Sequence, residues 1–324
     1  MKMIIRMFCR LLLAQLALCN LSLGDDGSFH FCALGDMPYY LPADYERFDN
    51  VIDVVNAENP AFTVHVGDTK SGSSLCSDES YQRTLKSFSR FEHPLIYTPG
   101  DNEWTDCNRA AAGDWDAVER LSLVRKLFFK DSNTLGGGDA FKLTVQSSDP
   151  QFATFVENRM WSKGHVVFAT VHIVGSKNNR QENIPGAVEE FLVRDEANEA
   201  WLDTVFNRAS STNAPALALF IHANPFRDLK DERDPNAGFA RFLEQLQKRT
   251  IAFEKPVLLV HGDTHYFRID KPMMHEGTKR DSVENFTRLE VFGATNMHAL
   301  RIDVDPSSPQ VFSANQVIVK ANRK

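Results

Sequence analysis

Four stretches of this 324-residue chain share one ending: a short apolar run closes on Gly-Asp, at Asp36 (FHFCALGD), Asp68 (AFTVHVGD), Asp101 (PLIYTPGD) and Asp263 (PVLLVHGD). A fifth run, LALFIHAN, carries His222 at the matching place. Runs that are apolar throughout, rather than at alternate residues, describe strands covered on both faces. Between them, residues 43–58, 78–91, 114–130, 188–209 and 236–250 mix apolar and charged side chains over lengths suited to helices. The expected order is β-α-β-α-β-α, a strand pair (QFATFVEN and HVVFATVHIVG), then α-β-α-β. Three more strand-like runs, TRLEVFGA, ALRIDVD and PQVFSANQVIV, make the tail strand-rich and point to a second sheet. Neither SNTLGGGDA at 132–140 nor the loop at 271–285 reads as a boundary, so the fold class is α/β in one domain, with polar residues at strand ends where such folds place ligands.

Apolar residues make up 43% and charged residues 24%, which excludes wholesale disorder, collagen and coiled coil. With 36 basic against 43 acidic residues and a pI near 5.8, no basic footprint for nucleic acid is present. Residues 1–24 place Lys2, Arg6 and Arg10 before the apolar run Leu11–Cys19, then Ser22 and Gly24, the pattern of a secretory signal peptide. Its apolar core is shorter than the roughly 20 residues a spanning helix needs. Residues 25–324 are then expected as the mature, secreted domain, without a membrane span. Losing Lys2, Arg6 and Arg10 leaves 33 basic against 43 acidic residues, a net of −10.

Cys9 and Cys19 would leave with the signal, and an oxidising compartment favours pairing among the remaining three. Cys76 and Cys107 lie in polar surroundings after Gly-Asp loops, whereas Cys32 lies in an apolar run, so the expected disulfide is Cys76–Cys107 and Cys32 is a core thiol. Asn285-Phe286-Thr287 is a glycosylation acceptor motif.

Carboxylates gathered at one sheet edge repel each other and lose hydration, and bound cations relieve both costs. His222 and His265 add imidazole donors, with His261 two residues before Asp263. Mixed carboxylate and imidazole ligands suit Mn, Fe, Zn or Mg.

In this order the motifs resemble the calcineurin-like metallophosphoesterases, whose pattern is DxH, GDxxD, GNH with a following acid, a lone His, and GHxH. The corresponding residues are Asp36-Met37-Pro38, Gly67-Asp68-Thr69-Lys70-Ser71, Gly100-Asp101-Asn102-Glu103, His222, and Gly262-Asp263-Thr264-His265. The resemblance covers nearly the whole mature chain. It implies a metallo-dependent phosphatase-like fold: a four-layer sandwich of two mixed β-sheets flanked by helices. It further implies two divalent metal ions, with Asp68 as bridge, Asp36 and His265 on the first, and Asp101, His222 and Asp263 on the second. His261 is the alternative to Asp263, and Asn102 the alternative to Asp101. Asn102 takes the place of the histidine beside the phosphate, and Lys70 can bring positive charge to it or pair with a crowded acid, so both are candidate catalytic residues. The implied reaction is hydrolysis of a phosphate mono- or diester, in a small molecule or headgroup, by a metal-bound hydroxide.

Three departures matter. Pro38 stands for a histidine ligand and cannot coordinate, while Asn102 and Asp263 replace two further imidazoles. Leaving-group protonation is then left to water or another side chain, which favours slow turnover or a good leaving group. His65 and His172, inside apolar runs, read as core histidines. No GxSxG elbow, P-loop or HExxH helix offers another chemistry. The alternative of a different kind is a binding protein on the same fold, catalytically weak or inactive.

Overall fold

The computed structural model describes residues 27–227, 237–278 and 280–323. The expected signal peptide, Cys9 and Cys19 included, lies outside them. In chain order the strands are β1 (Phe29–Leu34), β2 (Thr63–His65), β3 (Pro94–Tyr97), β4 (Leu135–Gly136), β5 (Thr144–Val145), β6 (Arg159–Lys163), β7 (Val166–Thr170), β8 (Leu217–Phe220), β9 (Val257–His261), β10 (Arg268–Asp270), β11 (Phe286–Glu290), β12 (Ala299–Val304) and β13 (Phe312–Val317). The main helices are α1 (Asp44–Glu58), α2 (Asp78–Phe88), α3 (Ala117–Phe128), α4 (Ala187–Ser211) and α5 (Ala240–Phe253).

Two mixed sheets result. The first has six strands in the order β13-β12-β1-β2-β3-β4, the second seven in the order β10-β11-β9-β8-β7-β6-β5. β1, β2 and β3 run parallel, as do β7, β8, β9 and β11. Between the sheets sits an aromatic core in which Phe31 stacks on Phe62 at 5.0 Å and Phe168 meets Phe62 edge-on at 5.3 Å. Truncating Phe62, fully buried there, would cost about 3–5 kcal/mol. A second apolar layer, with Phe48, Val51 and Phe88, joins α1 and α2 to the outer face of the first sheet. A third, with Trp201, Val205 and Leu246, joins α4 and α5 to the second. The four-layer sandwich expected from the motifs is therefore present, with helices outside and strand ends at one rim.

One feature differs from the sequence reading. QFATFVEN is not a strand: Pro150–Phe152 forms a short 3-10 turn, and the strand begins at Arg159 instead. The hairpin Gly164-His165, both at positive φ, sets the register of β6 on β7, and the ladder ends at Arg159 because side chains take over there: Arg159 N–H donates to Thr170 Oγ1 at 3.0 Å and His172 N–H to Asn158 Oδ1 at 2.8 Å. The Asn285 amide donates to Thr250 O at 2.8 Å and Lys255 O at 2.9 Å, so both of its protons are engaged within the fold. The disulfide joins Cys76 to Cys107 as expected, and Cys32 is a buried free thiol.

Candidate metal centre

The loops after β1, β2 and β3 supply Asp36, Asp68 and Asp101 from the first sheet; those after β8 and β9 supply His222, Asp263 and His265 from the second. Gly100 permits the close approach of the loops. A Cβ there would lie 2.1 Å from Asp68 Oδ1 and 2.5 Å from the Asp68 backbone nitrogen, and moving the side chain would not relieve the second contact. The sharp turns are taken in large part by the acids themselves: Asp36, Asp68 and Asp263 have φ of 54°, 57° and 77°, and His265 has 58°. Non-glycine residues held in this region cost of order 1 kcal/mol each and cluster at functional sites.

Two groups of ligand atoms converge, each within 4.8 Å: Asp36, Asp68 and His265, and Asp68, Asp101 and His222. Asp68 belongs to both. His222 Nε2 lies 2.9 Å from Asp101 Oδ1 and 3.4 Å from Asp68 Oδ1, while its Nδ1 is 2.9 Å from Val66 O. His265 Nε2 lies 3.6 Å from Asp36 Oδ1. Asp263 is not brought into either group. Its backbone N–H caps Asp36 Oδ1 at 3.0 Å, and its own Oδ2 accepts from Asn224 N–H at 3.0 Å. His261 is buried, with Nδ1 2.8 Å from Gly262 O.

Burial pushes the carboxyls of Asp36 and Asp68 well above the usual range, with neighbouring acids adding to it and His222 opposing. Burial also works against charge on Asp101, yet the hydrogen bond and charge of His222 hold that carboxyl below its usual range. Burial disfavours the His222 imidazolium too, and Asp68 and Asp101 outweigh it, holding its pKa well above normal. Without metal, His222 is thus the cation of the cluster. Burial lowers His265 to about 4, so its ring is neutral, the state a ligand must have. Buried carboxylates short of compensation, a neutral imidazole and an aspartate common to two donor groups together fit a pair of divalent ions.

The two residues expected to be catalytic are placed differently. Asn102 sits within the cluster: its backbone N–H donates to Asp68 Oδ1 at 3.0 Å, and its Nδ2 donates to Asp68 Oδ2, to Tyr39 Oη at 3.0 Å and to Lys70 O at 3.0 Å. The Lys70 ammonium is turned to the carbonyls of Ser71 (3.2 Å) and Ser74 (3.0 Å) in its own loop. Burial lowers its pKa against the pull of Glu103 and Asp68.

Sequence reasoning missed Tyr39 and gave Glu103 no task. Tyr39 Oη donates to Asp68 Oδ2 at 2.5 Å and lies 3.1 Å from His265 Nε2, with the two rings edge-on at 4.8 Å. Nothing in the run after Pro38 signals this, because the contacts come from loops far away in sequence. Glu103, fully buried, accepts backbone N–H groups of Gly100 (2.9 Å), Asp68 (3.2 Å) and Thr69, stapling two loops together. The signal for Glu103 was the acid closing the third motif.

No family model matches the sequence, and no curated protein does. Solved structures do match in fold. A dimetal phosphatase from Danio rerio superposes with a TM-score of 0.54 at 10% identity, over 90% of this chain and 99% of that one. Purple acid phosphatase PPD1 from yellow lupin (Lupinus luteus) seeds gives 0.51 at 11% identity, over 91% of this chain and 55% of that one. The present chain thus spans about half of the lupin protein. At such identities the likeness establishes architecture: the chain has the calcineurin-like metallophosphoesterase fold.

Proposed function

We propose that this protein is a secreted, metal-dependent phosphoesterase acting on phosphate mono- or diesters. The observation that carries the reading is that Asp68 is common to two convergent donor groups. Asp36, Asp68 and His265 would hold one ion, and Asp68, Asp101 and His222 the other. Bound divalent ions would supply Lewis acidity toward a phosphoryl oxygen and lower the pKa of a water. The chain's own part is orientation. Tyr39 Oη and the Asn102 N–H groups fix both oxygens of Asp68, and Glu103 holds the loops that carry Asp68 and Asp101. Asn102 has no proton to give a leaving group at neutral pH, so aryl esters should be cleaved far better than alkyl ones.

For the compartment, the support is the residue pattern of 1–24 together with a disulfide, a bond rare in reducing cytosol. Among the described residues no helix is long and apolar enough to cross a membrane. The proposed organisation is a signal peptide over 1–24 and one phosphoesterase domain over 25–324.

A second reading, a binding protein on the same fold, draws on the donor count: Pro38 cannot coordinate and Asp263 lies outside both groups, which leaves three donors in each. Metal content of the purified protein, measured with its hydrolysis of p-nitrophenyl phosphate mono- and diesters in added Mn²⁺, separates the two. Metal and turnover are expected. Absence of both from acid to neutral pH would defeat the enzyme reading.

A further inference from the structure

Between Val174 and α4 the chain makes a turn of unusual hand. Ser176, Lys177, Asn178 and Asn179 have φ of 49°, 60°, 54° and 61°, four successive left-handed residues, none of them glycine. L-residues resist this region, and such strain persists only where the surroundings over-determine it. Here they do. The fully buried Arg194 donates through Nη1 to Asn178 Oδ1 at 2.7 Å and through Nη2 to Asn178 O at 2.9 Å. Its Nε is paired with Glu190 Oε1 at 2.7 Å, and Asn179 Nδ2 donates to Glu190 Oε2 at 2.9 Å. Asn178 Nδ2 donates to Gly238 O at 3.0 Å.

What this rigid turn presents is a hydroxyl. Ser176 Oγ lies 2.9 Å from Asp101 Oδ2 and 2.6 Å from Asp106 Oδ1. It has one proton for two carboxylate oxygens. Arg109 Nη2, 2.7 Å from Asp106 Oδ1 and 3.4 Å from Ser176 Oγ, brings the positive charge that lets the three groups share it. The preceding Gly175 is pressed against the same carboxylate: a Cβ there would lie 2.6 and 2.7 Å from the two Asp101 oxygens. With Oδ2 held from this side, Oδ1 is left facing His222 Nε2.

We propose that Ser176 is a positioning residue for the second metal position: its hydroxyl fixes the Asp101 carboxylate so that Oδ1 joins His222 and Asp68 as a donor. The inference rests on the metal-centre reading above. Outer contacts of this kind orient ligands, and their loss typically weakens metal binding 10- to 100-fold.

The test is calorimetric titration of Mn²⁺ into metal-stripped protein, wild type beside Ser176→Gly and Ser176→Ala, together with urea unfolding of each without metal. Both variants lose the hydroxyl, but only alanine keeps the backbone strain, so the glycine variant should be the more stable of the two. The expected result is that both bind one ion as the wild type does and the other about 10- to 100-fold more weakly, to the same extent despite their different stabilities. Wild-type affinities in both variants would overturn the proposal alone. So would a loss that follows stability, found in alanine and not in glycine, or a variant that no longer folds, since these mark a structural role. A wild type that binds no metal would overturn this proposal and the metal-centre reading together.

Discussion

The Cys76–Cys107 bond encloses the helix, strand and loop that deliver Asp101 and Asn102, and removing it should be felt in both stability and site. The perturbation is the double substitution Cys76→Ala with Cys107→Ala. The half-cystines are 31 residues apart, and the loop-closure relation gives about 3.7 kcal/mol of lost stability at 25 °C. With a urea slope of about 3 kcal/mol/M, the top of the usual range, the midpoint should fall by roughly 1.2 M. The site should respond because both sulfurs lie 3.7 Å from the Asn102 carbonyl and Tyr81 Oη donates to Glu103 O at 2.8 Å, so the bond underlies the very loop that Glu103 staples. Urea unfolding of metal-free protein, followed by far-UV circular dichroism, measures the first effect; Mn²⁺ titration of the folded variant measures the second, where weaker binding is expected. A variant with an unchanged midpoint and unchanged metal affinity would refute the reasoning, since neither chain entropy nor loop support would then depend on the bond.

Asp68→Asn should abolish metal-dependent stabilisation: at free Mn²⁺ about 100-fold above Kd the wild type should gain about 2.7 kcal/mol for each ion held, and thermal unfolding with and without the ion should show none of that gain in the variant. In metal-free protein the raised pKa of His222 contributes stability that is complete below its unfolded value near 6.5 and is lost as pH rises through its folded value. The pH dependence of the urea midpoint in EDTA should therefore fall with rising pH, and His222→Asn should flatten it above pH 6.5. Glu157, fully buried, is held by Arg125 Nη2 at 2.6 Å and His172 Nδ1 at 2.8 Å. Glu157→Gln should cost about 3 kcal/mol in a urea series at pH 7, the low end for a broken buried pair because Arg125 keeps some water contact. Burial alone would raise the Glu157 pKa, but Arg125 and His172 depress it, so its contribution is present above pH about 4.5 and is lost as pH falls through the folded value; the gap between variant and wild type should narrow in acid.

The architecture was legible because each parallel strand is covered on both faces, and that leaves an uninterrupted apolar run in the sequence. The acids at the ends of those runs were legible for the same reason. QFATFVEN failed as a strand because the side chains of Thr170 and Asn158 replace the backbone ladder upstream of β6, which no apolar count reveals. Asp263, picked out by its spacing from His265, lies outside both donor groups, and its Oδ2 accepts from the backbone of Asn224, a residue 39 positions away. Lys70 was expected to bring charge to the site or pair with a crowded acid, and its ammonium donates to two carbonyls of its own loop. Tyr39 and Ser176 were silent in the sequence because what defines each is a partner from another loop. Glu103 stood in plain view within a motif, and only its three backbone donors give it a task.

The donors are also ordered along the chain. Every carboxylate of the two groups has been made by residue 101, whereas the imidazoles wait until residues 222 and 265. A polypeptide emerging from the ribosome therefore presents its acids long before the bases that complete either trio. Ion capture by a full set of donors becomes possible only once the second sheet has closed over the first. The assembled centre is in this sense a certificate that both halves of the polypeptide have been synthesised and joined.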